Sequence, residues 1–290
     1  MSTRGPIRMT SSDRSRTEPS FGATRQPLFG SYPPDADGVE GATSAVLDPE
    51  LSLHGRLAVI TGGAGLLGAA MASELGARGA DICLMGDDPV ELRRTLSELD
   101  PSVRSVMLRC DLSSESEVLS ATDFIHRMGR PVDLLIHAAG LQAPASVATG
   151  AVESLDEHYL WNLRGPYLLS QQLLPVLTSA QGQVVFFVAT ETDPSSVVGG
   201  DVHHTISQAA VQAFAKELRT ETARLGVRVL IVDAVAQTWS DLSTEPARPS
   251  GRTVVESLAY AVVDTLTSTE MDVTELRVQR PSGPLRRERR

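Results

Sequence analysis

Seven short apolar runs punctuate the chain: RLAVIT at 56–61, DICLM at 81–85, and the stretches 103–110, 132–137, 183–189, 227–233 and 273–279. Between them lie segments that read as helices, at 66–78, 89–99, 114–128, 153–178, 203–225 and 252–267. A strand that is apolar on both sides needs cover on both faces, and a helix between two strands returns the chain to make a parallel neighbour. The pattern therefore predicts an α/β fold, a doubly wound parallel seven-stranded sheet with helices on both faces.

The regular pattern occupies residues 53–283, with 1–52 read as a disordered N-terminal tail and 284–290 as a basic C-terminal tail. A chain of 290 residues, 41% apolar and without internal repeats, buries one sizeable core. The tail, rich in Ser, Thr, Pro and Gly, has no period of 2 or 3.6 and cannot offset its own ordering entropy. A formal net charge of −10 counts against nucleic acid or an anionic membrane as a partner. The longest apolar runs, such as Val184 to Ala189, fall far short of the roughly 20 residues of a membrane span. Cys83 and Cys110 sit in apolar runs without ligand spacing, which reads as buried thiols in a reducing, cytoplasmic setting.

The first strand runs straight into TGGAGLLG, Thr61 to Gly68, which opens the first helix. Glycines there let the backbone turn tightly and approach a pyrophosphate, which rests on the amides and positive dipole of the helix N-terminus. Gly62, Gly65, Leu66 and Gly68 thus become candidate cofactor contacts, and the fold becomes Rossmann-type.

Further segments share a pattern: CDLSS with Asp111 and Leu112, HAAG at His137 to Gly140, WNLRGPYLLSQ around Asn162, and SQAAVQAFAKEL at Ser207 to Leu218. Together these resemble the short-chain dehydrogenase/reductase family over about 53–283. The resemblance implies that Asp111 and Leu112 lie against an adenine, that Ala138, Ala139 and Gly140 line the dinucleotide, and that Asn162 holds a proton-relay water. It also implies a homodimer or homotetramer paired through the helices that carry Asn162 and His204, with Leu155, Leu163, Val211 and Phe214 as apolar contacts.

The departures from that family are chemical. Its catalysis uses a Tyr followed four residues later by a Lys; this chain has a single lysine, Lys216, and none of Tyr32, Tyr159, Tyr167 and Tyr260 precedes it by four. The resemblance aligns Gln208 with the lysine, His204 with the tyrosine, and Ala189 or Thr190 with the catalytic serine. Histidine titrates near neutrality unaided, whereas a phenol needs a nearby cation to bring its pKa down from about 10. Losing Tyr and Lys together is therefore coherent if His204 exchanges the proton, Thr190 orients a carbonyl oxygen, Asn162 holds water and Gln208 reaches a ribose hydroxyl. Two histidines after Asp201 are also what a solvated helix start looks like, and the order of Asp201, His203, His204, Glu191 and Asp193 fits no metal-ligand spacing.

At the end of the second strand, LMGDDP places Gly86 where an acidic residue often stands and Asp87 beside it. A carboxylate there accepts from ribose hydroxyls and repels a 2′-phosphate, so NAD is expected ahead of NADP; Asp87 is also a candidate cap for the helix beginning at Pro89. Two readings stay open: an atypical NAD(P)(H)-dependent oxidoreductase acting on a small carbonyl/alcohol substrate, and a noncatalytic protein of the same fold serving as structural partner or nucleotide sensor.

Overall fold

In the computed structural model, described over residues 52–189, 202–234, 253–268 and 272–278, seven strands form one parallel sheet. They are β1 (Leu57–Thr61), β2 (Asp81–Gly86), β3 (Ser105–Arg109), β4 (Leu134–His137), β5 (Gln183–Val188), β6 (Arg228–Ala234) and β7 (Glu275–Val278), in the order β3-β2-β1-β4-β5-β6-β7. The helices are α1 (Leu66–Ala77), α2 (Pro89–Glu98), α3 (Glu115–Arg127), α4 (Val152–His158), α5 (Gly165–Ala180), α6 (Val202–Thr222) and α7 (Val254–Thr267). The expectations for the tails at 1–51 and 284–290, and the role given to Thr190, lie outside the described residues.

Successive residues of a strand face opposite sides, and the chain uses both. Val59, Cys83, Leu135, Phe186 and Ile231 face α3, α5 and α6, where Leu169, Leu173 and Val211 complete one core. Ala58, Ile60, Leu84, Ile136 and Leu230 face α1 and α7, where Met71, Leu75, Leu258 and Val262 complete the other. Such two-sided burial is why the strands read as continuous apolar runs. The thiols of Cys83 and Cys110 are buried within the first core, and burial pushes both up to about 12.

Two local expectations are corrected. The cap of α2 is Asp88, whose Oδ1 accepts from the amides of Val90 at 2.8 Å and Glu91 at 3.2 Å, because Pro89 occupies the first helical position and the cap precedes it directly. Asp87 takes no part in that cap and stands exposed. The helix read as continuous over 153–178 is interrupted by a π turn at Tyr159–Arg164 between α4 and α5. A π turn adds a residue to the helical ladder and rotates the downstream helix about its axis, which an apolar period alone does not reveal.

In the strand order the chain leaves β1 toward β2 and β3 on one side, then returns to lay β4 on the other. The crevice beyond the carboxyl ends of β1 and β4 is where open sheets of this kind bind ligands.

Candidate active site

Thr61 ends β1, and its hydroxyl accepts from the amide of Ala139 at 3.2 Å while lying 3.4 Å from the carbonyl of Ile136. This bond ties the glycine turn to the segment after β4. Gly62 has φ +65°, and a Cβ on it would stand 2.7 Å from the Cα and N of Ala139. Gly65 precedes α1 in an extended conformation; no side chain caps the helix and its first turn carries no acid. Terminal amides left without side-chain partners are what a pyrophosphate requires. Leu66, at the first position of α1, is 55% exposed, whereas Leu67 turns inward. On these grounds the turn fits a dinucleotide.

Asp111 lies beyond β3, and its Oδ1 accepts from the amide of Ser113 at 2.8 Å and its hydroxyl at 2.6 Å, which holds the turn into α3. Leu112 is buried in the core, where its side chain and carbonyl crowd Gly165 at the start of α5. Its side chain is thus a packing element, and only its main chain remains for a ligand.

Beyond β4 and β5 a cavity of about 180 Å³ opens, lined by Leu67, His137, Gln142, Val188, His204 and Gln208 among others, with Ala138, Ala139 and Gly140 along its edge. His204 and Gln208 stand one turn apart on α6 and so share a wall. The amide oxygen of Gln208 accepts from the amide of Ala189 at 3.2 Å, fastening the end of β5 to α6.

The π turn carries Asn162 inward, where it is 3% exposed. Its Oδ1 accepts from the amide of Leu141 at 2.6 Å, and its Nδ2 donates to the carbonyl of Leu141 and to the hydroxyl of Ser207, each at 2.9 Å. Ser207 in turn donates to the carbonyl of His204 at 2.8 Å. His204 Nδ1 lies 3.1 Å from the carbonyl of Leu141. The structure thus brings His204 and Gln208 together on one cavity wall and ties Asn162 to His204 through Leu141 and Ser207. Both side-chain protons of Asn162 are spent on protein partners, so a water held by this residue would sit on an oxygen.

His203 is not a solvated cap. It is buried, with Nδ1 3.3 Å from the hydroxyl of Ser154, and its ring meets that of His158 edge-on at 5.8 Å. His158 is fully buried, its Nδ1 2.6 Å from the carbonyl of Ser154 and its Nε2 accepting from the amide of Ala143 at 3.2 Å. Among the described residues no group of His, Cys, Asp or Glu has the geometry of a metal site. His137 stacks on Phe186 at 4.7 Å with Nε2 2.9 Å from the hydroxyl of Ser170, and its Nδ1 has no partner. Burial pulls His137 down to about 3, so the ring is neutral.

Leu141, His158 and Ser170 escaped the sequence reading, and Ser207 entered it only as the start of a motif, without a role. Leu141 contributes through its peptide, to which no side-chain pattern points, and the serines carry no local signal.

The fold and crevice define a doubly wound α/β protein of the Rossmann type. The short-chain dehydrogenase family model matches residues 56–244, more than half of the chain, and the protein belongs to that family. Among curated relatives, momilactone A synthase of Oryza sativa subsp. japonica is 31% identical over 182 residues, covering 61% of this chain and 65% of that protein, slightly under two thirds of its length. Carbonyl reductase family member 4 of Danio rerio is 29% identical over 182 residues, covering 61% and 73%. Among solved structures, the Pseudomonas aeruginosa RhlG/NADP active-site complex superposes with a TM-score of 0.69 at 20% identity, over 80% of this chain and 98% of that one. A metagenomic short-chain oxidoreductase in complex with NADP superposes at 0.66 and 24% identity, over 78% and 97%. At such identities these structures speak for the fold. No helix among the described residues is long and apolar enough to cross a membrane.

Proposed function

We propose that this protein is an NAD(P)(H)-dependent oxidoreductase that interconverts a small carbonyl and its alcohol, with His204 in the place of the family's tyrosine. The observation that carries the reading is the common cavity wall formed by His204 and Gln208, one turn apart, facing the edge where the glycine turn and Ala138 to Gly140 meet.

A bound dihydronicotinamide would supply the hydride. The chain's own residues would do the rest: the amides of α1 and the turn at Gly62 would hold the diphosphate, Gln208 and the segment after β4 would flank the ribose, and His204 would give a proton to the substrate's carbonyl oxygen. In the reverse direction neutral His204 takes the alcohol proton. For Thr190 the orientation of the carbonyl oxygen is proposed on the family resemblance alone.

For the dinucleotide, solved relatives holding NADP extend the expectation to either form, whereas the exposed Asp87 at the end of β2 favours NAD. A carboxylate beside the adenosine ribose accepts from two hydroxyls and repels a phosphate.

A homo-oligomer is proposed through the α4–α5 segment and α6, on a face different in detail from the sequence expectation. Val211 is buried and Phe214 packs on Phe186 within the chain, while Tyr159 and Tyr167 stand about half exposed. Sedimentation showing a 31.0 kDa monomer at micromolar concentration removes this part of the proposal.

The deciding experiment is thermal unfolding with millimolar NAD, NADH, NADP or NADPH, followed by turnover on a carbonyl panel. A ligand that binds only the native state raises the melting temperature by mass action. Stabilisation with turnover supports the enzyme. Stabilisation without turnover favours the structural or sensor reading, consistent with a cavity that has neither tyrosine nor lysine among its described lining residues. No shift with any dinucleotide ends the cofactor and enzyme readings and leaves the structural one.

A further inference from the structure

We propose that Asn162 is a positioning residue that sets the tautomer of His204 through the Leu141 peptide, making Nε2 the nitrogen that exchanges the proton. The inference deepens the assignment of His204 above and rests on it for its catalytic consequence.

A carbonyl oxygen only accepts, so the 3.1 Å contact between His204 Nδ1 and the Leu141 carbonyl requires a proton on Nδ1. Neutral His204 then carries its lone pair on Nε2, and the imidazolium releases its proton from Nε2 while Nδ1–H stays bonded. The Leu141 carbonyl can serve as this anchor because one side chain holds the main chain of Leu141 on both sides of its Cα: Asn162 Oδ1 accepts from its N–H at 2.6 Å and Asn162 Nδ2 donates to its carbonyl oxygen at 2.9 Å. The second Nδ2 proton goes to the Ser207 hydroxyl, which donates to the main-chain carbonyl of His204. Asn162 thereby grips His204 at its ring, through Leu141, and at its backbone, through Ser207. A buried hub with its donors fully used is suited to orientation. The logic is that of a carboxylate holding a histidine by Nδ1–H, executed here with a neutral carbonyl, which raises no new charge in the site.

Nitrogen NMR of the full-length protein tests this without substrate. His204 is assigned by its loss in His204→Gln, and its tautomer is read from the two ring-nitrogen shifts in the neutral form. The expected result is Nδ1–H in the parent, loss of that preference in Asn162→Ala, and its retention in Ser207→Ala, which cuts only the backbone arm. If the alanine variant does not fold by circular dichroism, Asn162→Asp keeps the shape and the acceptor for the Leu141 N–H but lacks both donors, and the same loss is expected. An Nε2–H tautomer in the parent, or an unchanged tautomer in a folded Asn162 variant, overturns the proposal. In turnover, Asn162→Ala should lower kcat on the order of 100-fold with little change in KM for the dinucleotide, the scale of a misplaced catalytic group. A correct tautomer in a protein that turns over nothing refutes the enzyme assignment and leaves the clamp standing; turnover that needs His204 with the wrong tautomer refutes the clamp alone.

Discussion

Gly62 and Ala139 meet backbone to backbone, so closely that a Cβ on the glycine would stand 2.7 Å from both Cα and N of the alanine. The contact joins the turn after β1 to the segment after β4, the two sides of the ligand crevice. Gly62→Ala meets two penalties, a left-handed φ of +65° and this clash. The backbone term alone costs about 1–2 kcal/mol. We expect a lower urea midpoint and loss of dinucleotide-induced stabilisation; a variant that melts like the parent and still responds to NADH contradicts the role of this turn.

Asp87 is exposed beside the end of β2 and is not the cap of α2, so replacing it leaves the helix start intact. Asp87→Arg is expected to move preference from NAD toward NADP, measured as the ratio of the two stabilisations, without lowering the melting temperature of the free protein. Equal response to both dinucleotides before and after the change removes Asp87 from the adenosine site.

His204→Phe should lose about 100-fold or more in turnover while dinucleotide affinity stays nearly constant, since general acid–base catalysis typically supplies that much. His204→Tyr alone should not restore activity, because Gln208 carries no charge to lower a phenol; His204→Tyr with Gln208→Lys is expected to recover part of it. In the parent, the reductive rate falls as the imidazolium is deprotonated. A His204→Phe enzyme as active as the parent rules out the proton assignment.

His137 gives the fold a dependence on acid. Burial holds its pKa near about 3 in the folded protein, against an ordinary value of about 6.5 in the unfolded chain. Between these values the unfolded chain binds the extra proton, so this contribution to stability is complete above about pH 6.5 and is lost as pH falls toward 3, by up to about 1.4 kcal/mol per pH unit. His137→Asn should flatten the slope of urea stability between pH 6.5 and 4.5. An unchanged slope means that other groups dominate the acid response.

The sheet was legible in the residues because two-sided burial forces apolar runs of strand length, and the helices between them leave parallel pairing as the one economical connection. The glycine turn was legible for a similar reason: only glycine tolerates the φ of residue 62 and the contact with Ala139. His204 and Gln208 were visible through the family resemblance, which aligns them with its tyrosine and lysine. The π turn was not, because its extra residue leaves the apolar pattern nearly unaltered, and Asp88 replaced Asp87 as cap because capping depends on backbone angles one residue wide. Least visible was the ring of bonds from Asn162 through Leu141 and Ser207 to His204, which joins the π turn to α6 and acts largely through peptide groups. Local chemistry determined the elements and the turn, since those depend on neighbours in the chain. Which nitrogen of His204 meets a carbonyl was decided only by tertiary structure, since its partner, Leu141, stands 63 positions earlier in the chain and the fold brings it to within 3.1 Å.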